Sequence, residues 1–340
     1  MRELIISKNE AGQRLDKYLL KYLNKAGSGF IYKMLRKKNI VLNDKKANGN
    51  EKLVVGDNVR LYLSEDTINT FMEIKKDFKL KESNITGGRA KNISVLDKYK
   101  VGLIYQDDNI LLLNKPIGLL SQKAVKNDIA VNDIAINYLL ENGSLTEDDL
   151  QTFMPSVCNR LDRNTTGIIS VGKSLTGLQT LSALFKDRTI SKYYLALVKG
   201  SVDKKATIDG YLKKDIQNNK VSISTLAVSK DEDYIKTSYE PVKYIEIMSQ
   251  TLTLLKVHLI TGKTHQIRAH IASIGHPVIG DYKYGDKHIN DKFKTKYNIS
   301  SQLLHSYSLS FPQLDNDMKN LSNKEFIAPL PKFWPVKLED

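Results

Sequence analysis

The chain has 340 residues, 41% of them hydrophobic and 26% charged, the size and balance expected of about two soluble globular domains with buried cores. It has no apolar run of the ~18 residues needed to span a bilayer and no signal-peptide apolar core. Its single cysteine, Cys158, excludes an internal disulfide, so a cytoplasmic protein is expected, and a monomer.

The formal net charge is +14, and it is unevenly spread: residues 1–65 hold 14 Lys/Arg against 7 Asp/Glu. A small, strongly basic segment points to a polyanion partner. Within it, Leu15, Tyr18, Leu19 and Tyr22 recur at helical spacing. Phe30, Ile31, Met34 and Leu35 predict a second helix ending in Arg36, Lys37 and Lys38. That cationic end suits the helix dipole and can meet phosphate. Residues 40–42 and 53–63 predict short strands around turns at Asn43–Asp44 and Gly56–Asp57. Two helices followed by short strands resemble the S-four-type RNA-binding module, over residues 12–63, and this assigns residues 1–65 to such a module. Residues 66–97 are polar and aperiodic and are expected to be a linker, with one short strand around residues 71–74.

From Val101 the pattern changes. Residues 102–105 and 110–113 predict two strands about an Asp107–Asp108–Asn109 turn, ended by Pro116, which cannot continue a ladder. Residues 130–141 suit a helix and residues 168–171 a strand. Leu175, Leu178, Leu181, Leu184 and Phe185 form the stripe of another helix. Residues 193–198, 239–247 and 252–259 predict strands, and 264–274 a helix stopped by Gly275, His276 and Pro277. Strands outnumber helices and short turns join several. Residues 98–340 are therefore expected to form an α+β domain on a mixed, largely antiparallel central sheet flanked by helices.

Between two predicted strands, one loop displays a carboxylate, Asp162, flanked by Arg160 and Arg163 and followed by Thr165, Thr166 and Gly167. Such a carboxylate is a potential nucleophile; the guanidiniums supply counter-charge and can grip phosphate bidentately. Residues 167–174 also satisfy the P-loop pattern G-x-x-x-x-G-K-S. The intervening Ile168, Ile169 and Val171 favour an extended strand over a phosphate cradle, so no nucleotide cofactor is expected there. All six histidines lie between residues 258 and 305, but no ligand spacing accompanies them, so no metal is expected.

Asn159, Arg160, Leu161, Asp162, Arg163, Thr165, Thr166 and Gly167 resemble the signature loop of the RluA/RluC/RluD family of pseudouridine synthases. Further stretches follow the family's order: Ile104 to Pro116, Lys192 to Gly200, Thr261 to Arg268 with Gly275, His276 and Pro277, and Leu303, Leu304 and His305. Residues 280–286 and the basic segment in front bring the RluC-type enzymes closest, which act on large-subunit ribosomal RNA. The resemblance implies a pseudouridine synthase fold and a cofactor-free isomerisation of a flipped-out uridine. It implies that Asp162 is the nucleophile, attacking the ribose anomeric carbon or, in a rival mechanism, the uracil ring. Tyr194 would stack on the uracil, Arg268 would ion-pair with Asp162, and Arg160 would fill the gap left by the flipped base. Leu303 or Leu304 would pack against the loop. Arg163, Thr166 and Leu303, with Arg36 and Lys37 in the basic module, complete the expected RNA-contacting set. Asn159 and Lys263 depart from the family's histidine and arginine. A transfer-RNA substrate, or an RNA-binding assembly factor without catalysis, stays open as an alternative.

Overall fold

The computed structural model describes residues 1–73, 80, 93–215, 220–227 and 232–338. Its first unit contains β1 (Arg2–Ile5), α1 (Leu15–Tyr22), α2 (Ser28–Arg36), β2 (Ile40–Leu42), β3 (Lys45–Lys46) and β4 (Asn58–Leu61), the strands forming one sheet in the order β1-β4-β2-β3. The helical apolar positions turn inward: Leu15, Leu19, Ile31 and Leu35 pack with Ile40, Val59 and Leu61 in one core. The strand expected around residues 71–74 is instead the end of helix α3 (Glu65–Phe71); Ile74 lies outside the described residues. Ser64 caps this helix by accepting from Thr67 N, and Glu65 and Asp66 complement its N-terminal dipole. Ile68 is buried and the Phe71 ring lies 4.3 Å from that of Phe30, so α3 belongs to the first core and crosses the boundary expected at residue 65. At the other end of the expected linker, α4 (Val95–Lys98) packs into the next core; residues 74–79 and 81–92 between them lie outside the described residues.

The second unit continues with β5 (Gly102–Gln106), β6 (Ile110–Lys115), α5 (Val131–Glu141), α6 (Asp149–Thr152), β7 (Ser156–Val157), β8 (Thr166–Gly172), α7 (Leu175–Lys186) and β9 (Ser191–Lys199). Next come β10 (Ala206–Asp215), β11 (Lys220–Ser224), β12 (Asp233–Ile247), β13 (Gln250–Leu259), α8 (Gln266–Ser273), α9 (Lys287–Tyr297), β14 (Leu304–Ser310) and β15 (Glu325–Ile327). One sheet runs β11-β10-β12-β13-β9-β14-β8-β6-β5, with β15 beside β14 and β7 beside β8. Only the β14–β8 pairing among these is parallel; the sheet is mixed and largely antiparallel, as expected.

Both faces of the central strands are covered, which explains their nearly continuous apolar sequence. On β6, Leu111 and Leu113 face the core of α4 and α5, while Ile110 and Leu112 face that of α7. On β9, Tyr194, Ala196 and Val198 pack toward α8, while Leu195 and Leu197 pack toward α9. This two-residue alternation delivers Tyr194 to the same side of the sheet as α8. Residues 167–172 run inside β8, buried throughout, and Lys173 Nζ donates to Asp107 O at 2.9 Å. The stretch that matches the P-loop pattern is thus a central strand.

Candidate active site

Asp162 sits in the loop between β7 and β8, held from three directions. Behind it, Asn159 Oδ1 accepts from the Ser170 N–H and hydroxyl, both at 2.7 Å, tying the loop to β8. Asn159, one of the two residues that depart from the family pattern, therefore braces the loop. Beside it, Ser121 Oγ accepts from Leu161 N at 3.0 Å and donates to Leu161 O at 2.9 Å. On the far side, Lys115 Nζ donates to the carbonyls of Pro116, Leu119 and Arg163 at 2.8–3.0 Å. Lys115 is fully buried, and burial brings its pKa down to about 7 against the opposing pull of Asp162.

Arg268, in the first turn of α8, donates from Nη1 to Asp162 Oδ2 at 3.0 Å. Its other edge forms a fork onto Asp281: Nε to Oδ2 at 2.7 Å and Nη2 to Oδ1 at 2.9 Å. Asp281 is buried, which would raise its pKa, yet the Arg268 contacts and the amides of Lys283 and Tyr284 hold it below its ordinary value. One guanidinium thus spans two carboxylates, the buried one fixing its plane and the half-exposed one receiving its free corner. The helix start is itself pinned. Gln266 is buried, accepts from Thr261 Oγ1 and Lys263 N, and donates to Lys236 O and Thr237 Oγ1, all within 3.1 Å.

Tyr194 lies in the core with Leu161 and Leu304 while its edge lines the cleft in front of Asp162. Burial pushes its phenol up to about 12, with a hydrogen bond to Ser306 opposing, so it is a neutral hydroxyl. Tyr193, beside it, stacks on His258 at 4.7 Å as a structural aromatic. Cys158 borders the cleft, and burial raises its thiol to about 11, leaving it no thiolate character.

Two expected contact residues are placed otherwise. Thr166 is buried at the start of β8 and shares a 2.8 Å hydrogen bond with His305 Nδ1. His305 Nε2 faces the carbonyl of Ala328 at 3.2 Å, which puts its proton there and makes Nδ1 the acceptor. Burial lowers that histidine to about 4, so it stays neutral. Thr166 therefore fixes β8 to β14 and does not face substrate. Leu303 packs with Leu195, Phe293 and Trp334 on the opposite side of the sheet; Leu304 is the leucine that meets Leu161 and borders the cleft.

The cleft holds about 910 Å³, within the range of ~300–1,000 Å³ common for ligand sites. Arg160, Arg163, Lys186, Arg188, Lys192, Lys214, Lys263, Arg268 and Lys283 line it, against a single carboxylate among the described residues, Asp162. Arg160 is exposed at its mouth. Arg163 is also exposed, its Nε donating to Gly118 O at 3.0 Å. Arg36 and Lys37 are exposed at the end of α2 in the first unit and do not line the cleft. Among the described residues no cluster of His, Cys, Asp and Glu could hold a metal ion. Sequence reasoning missed Asp281, Gln266 and Lys115 as parts of the site. A carboxylate set between glycines in residues 280–285 was the available signal for the first.

Residues 109–273 match the family model described as RNA pseudouridylate synthase. A ribosomal large subunit pseudouridine synthase C of Rickettsia bellii is 33% identical, over 85% of this chain and 87% of that protein. The protein of the same name from Pasteurella multocida is 30% identical, over 92% of this chain and 86% of its own length. Among solved structures, human RNA pseudouridylate synthase domain containing 1 has a similar fold, with a TM-score of 0.53 and 20% identity over 70% of this chain and 86% of that one. Identity at this level across most of both chains shows that this protein belongs to the RluA/RluC/RluD family and is an RNA pseudouridine synthase.

Proposed function

We propose that this enzyme converts uridine to pseudouridine in large-subunit ribosomal RNA, with Asp162 as the nucleophile. The substrate follows the names of the relatives from Rickettsia bellii and Pasteurella multocida. The observation that carries the nucleophile is the Asp162–Arg268–Asp281 array at the floor of an otherwise cationic cleft. The cleft's cations draw the RNA backbone, and a uridine must leave its stack to reach the floor, at a cost of a few kcal/mol. Arg160, exposed at the mouth, is positioned to fill the space it vacates, and Tyr194 offers the flipped base a ring edge and a neutral hydroxyl. Arg268, its plane fixed by Asp281, meets the carboxylate without needing to reorganise, which is how preorganised charge lowers a barrier. With attack at the anomeric carbon, the C1′–N1 bond breaks with its electron pair going to the base. The base turns, C5 bonds to C1′ as the carboxylate leaves, and the C5 proton is lost while N1 gains one. The first unit, with its two helices, four-stranded sheet and excess of lysine and arginine, acts as an S-four-type module that captures RNA.

Asp162→Asn preserves shape and removes the carboxylate. It is expected to bind RNA with near-normal affinity and to form no pseudouridine. Mapping pseudouridines in total RNA from cells carrying the wild type, this variant or no protein identifies the target. Turnover by the variant would rule out the nucleophile, and lost sites confined to transfer RNA would rule out the ribosomal substrate.

A further inference from the structure

His265 approaches Asp162 from the turn that precedes α8. It occupies the residue before α8 in a left-handed backbone conformation, φ 57°, which histidine adopts more readily than most residues. Its Nδ1 lies 3.0 Å from the Tyr284 hydroxyl, and that oxygen already accepts the backbone N–H of Val221 at 2.9 Å. With the phenol oxygen engaged as an acceptor, its proton is directed to Nδ1. The imidazole proton then sits on Nε2. Nε2 is 3.8 Å from Asp162 Oδ2, the same oxygen that receives Arg268. Asp162, Arg268, Lys283 and Asp281 all act on the ring, and burial, the largest influence, lowers its pKa below the ordinary value, so near neutral pH it carries a single N–H.

We propose that His265 is a positioning residue: its Nε2–H closes onto Asp162 Oδ2 when RNA fills the cleft, so that Arg268 and His265 hold one carboxylate oxygen and Oδ1 is the one that attacks. The separation of 3.8 Å is too long for a hydrogen bond, as catalytic contacts often are before substrate tightens them. The far end of the relay offers a reason for closure. Val221 pairs directly with Lys214 across the β10–β11 ladder, and Lys214 lines the cleft. A phosphate drawn to Lys214 therefore acts on the strand whose amide sets Tyr284 and, through it, the histidine.

This inference rests on Asp162 as nucleophile, so Asp162→Asn is carried as a control in single-turnover assays of the full chain with saturating ribosomal RNA. His265→Ala should slow conversion about 10- to 100-fold, the usual effect of a slightly misplaced reacting group, with RNA affinity and melting temperature little changed. His265→Gln, whose amide N–H can reach the carboxylate, should recover part of the rate, which a merely structural role would not predict. Tyr284→Phe keeps the ring packed and releases the tautomer, and should also be slow; it decides the matter if His265→Ala does not fold. A His265→Ala rate like that of wild type, or a Gln variant no faster than Ala while both bind RNA, overturns the positioning role. Turnover by Asp162→Asn overturns the nucleophile assignment instead.

Discussion

Arg268 bridges a buried carboxylate and a half-exposed one, and the two are not equivalent. Asp281 is 1% exposed in its side chain and Asp162 27%; the first sets the guanidinium's plane and the second presents its carboxylate to the cleft. Breaking one side of a buried charge pair leaves the other uncompensated, at a cost of about 3–5 kcal/mol. Asp281→Asn should therefore lower stability by about 3 kcal/mol and slow turnover while RNA still binds, because Arg268 loses its fork and with it the angle at which it meets Asp162. Urea unfolding and single-turnover rates read the two effects separately; a variant as stable and as fast as wild type would show that Asp281 is a bystander. The meeting of Asp162, Arg268 and Tyr194 at one cleft was legible in the sequence because their neighbours form an ordered set of motifs. Asp281, Gln266 and Lys115 lie in the same motifs, yet their parts in the site were not legible, since each acts by holding another residue across a gap that only folding closes. Lys115 reaches Arg163 O from 48 positions away. Leu303 and Leu304 show the converse problem: adjacent residues on extended backbone face opposite sides of a sheet, so a shift of one exchanges core for cleft.

Strand β8 is the element on which the Asp162 loop closes, and its start is one of the tight points of the domain. Gly167 has φ +108°, and a Cβ there would lie 2.2 Å from Ser306 O and 2.6 Å from Ser306 N on β14. The parallel β8–β14 pairing of His305 with Thr166 and Ser306 with Gly167 thus requires an absent side chain. Gly167→Ala should separate these strands, with a loss on the order of 3 kcal/mol from strain and overpacking together. Activity should fall with stability, since Leu304 and the Asp162 loop sit at that junction. A shift in unfolding free energy below about 1 kcal/mol would mean that the junction yields easily. Apolar runs made β6, β8, β9 and β13 readable, and the stripe of Leu181 and Leu184 made α7 readable. The β10–β11 hairpin and α9 escaped notice because their exposed faces are rich in lysine, which dilutes the apolar period. The P-loop match failed for a physical reason available beforehand: β-branched residues fill it, and they run extended in β8.

Charge is arranged over the whole molecule in two fields. One lines the cleft, where among the described residues nine cations surround one carboxylate; the other is carried by the first unit, with its 14 Lys/Arg against 7 Asp/Glu over residues 1–65. The two units touch: α1 packs near α6, and Thr152 Oγ1 donates to Glu10 Oε1 at 2.8 Å. An RNA that reaches the cleft therefore has a second basic surface within the same protein, and the tethered contact adds affinity without new chemistry. Arg36 and Lys37 are exposed where α2 ends, and we propose that they are cations of that surface that meet phosphate. Each phosphate neutralised releases counterions, so the slope of log affinity against log salt should fall by about 0.7–0.9 for each cation removed. Arg36→Gln with Lys37→Gln should weaken ribosomal RNA binding and flatten that slope by roughly 1.5. The loss of affinity should be largest at low salt, where phosphate contacts count most. Filter binding or fluorescence anisotropy across a salt series measures it directly. An unchanged slope would assign the end of α2 to some contact other than RNA, leaving capture to the cations of the cleft alone.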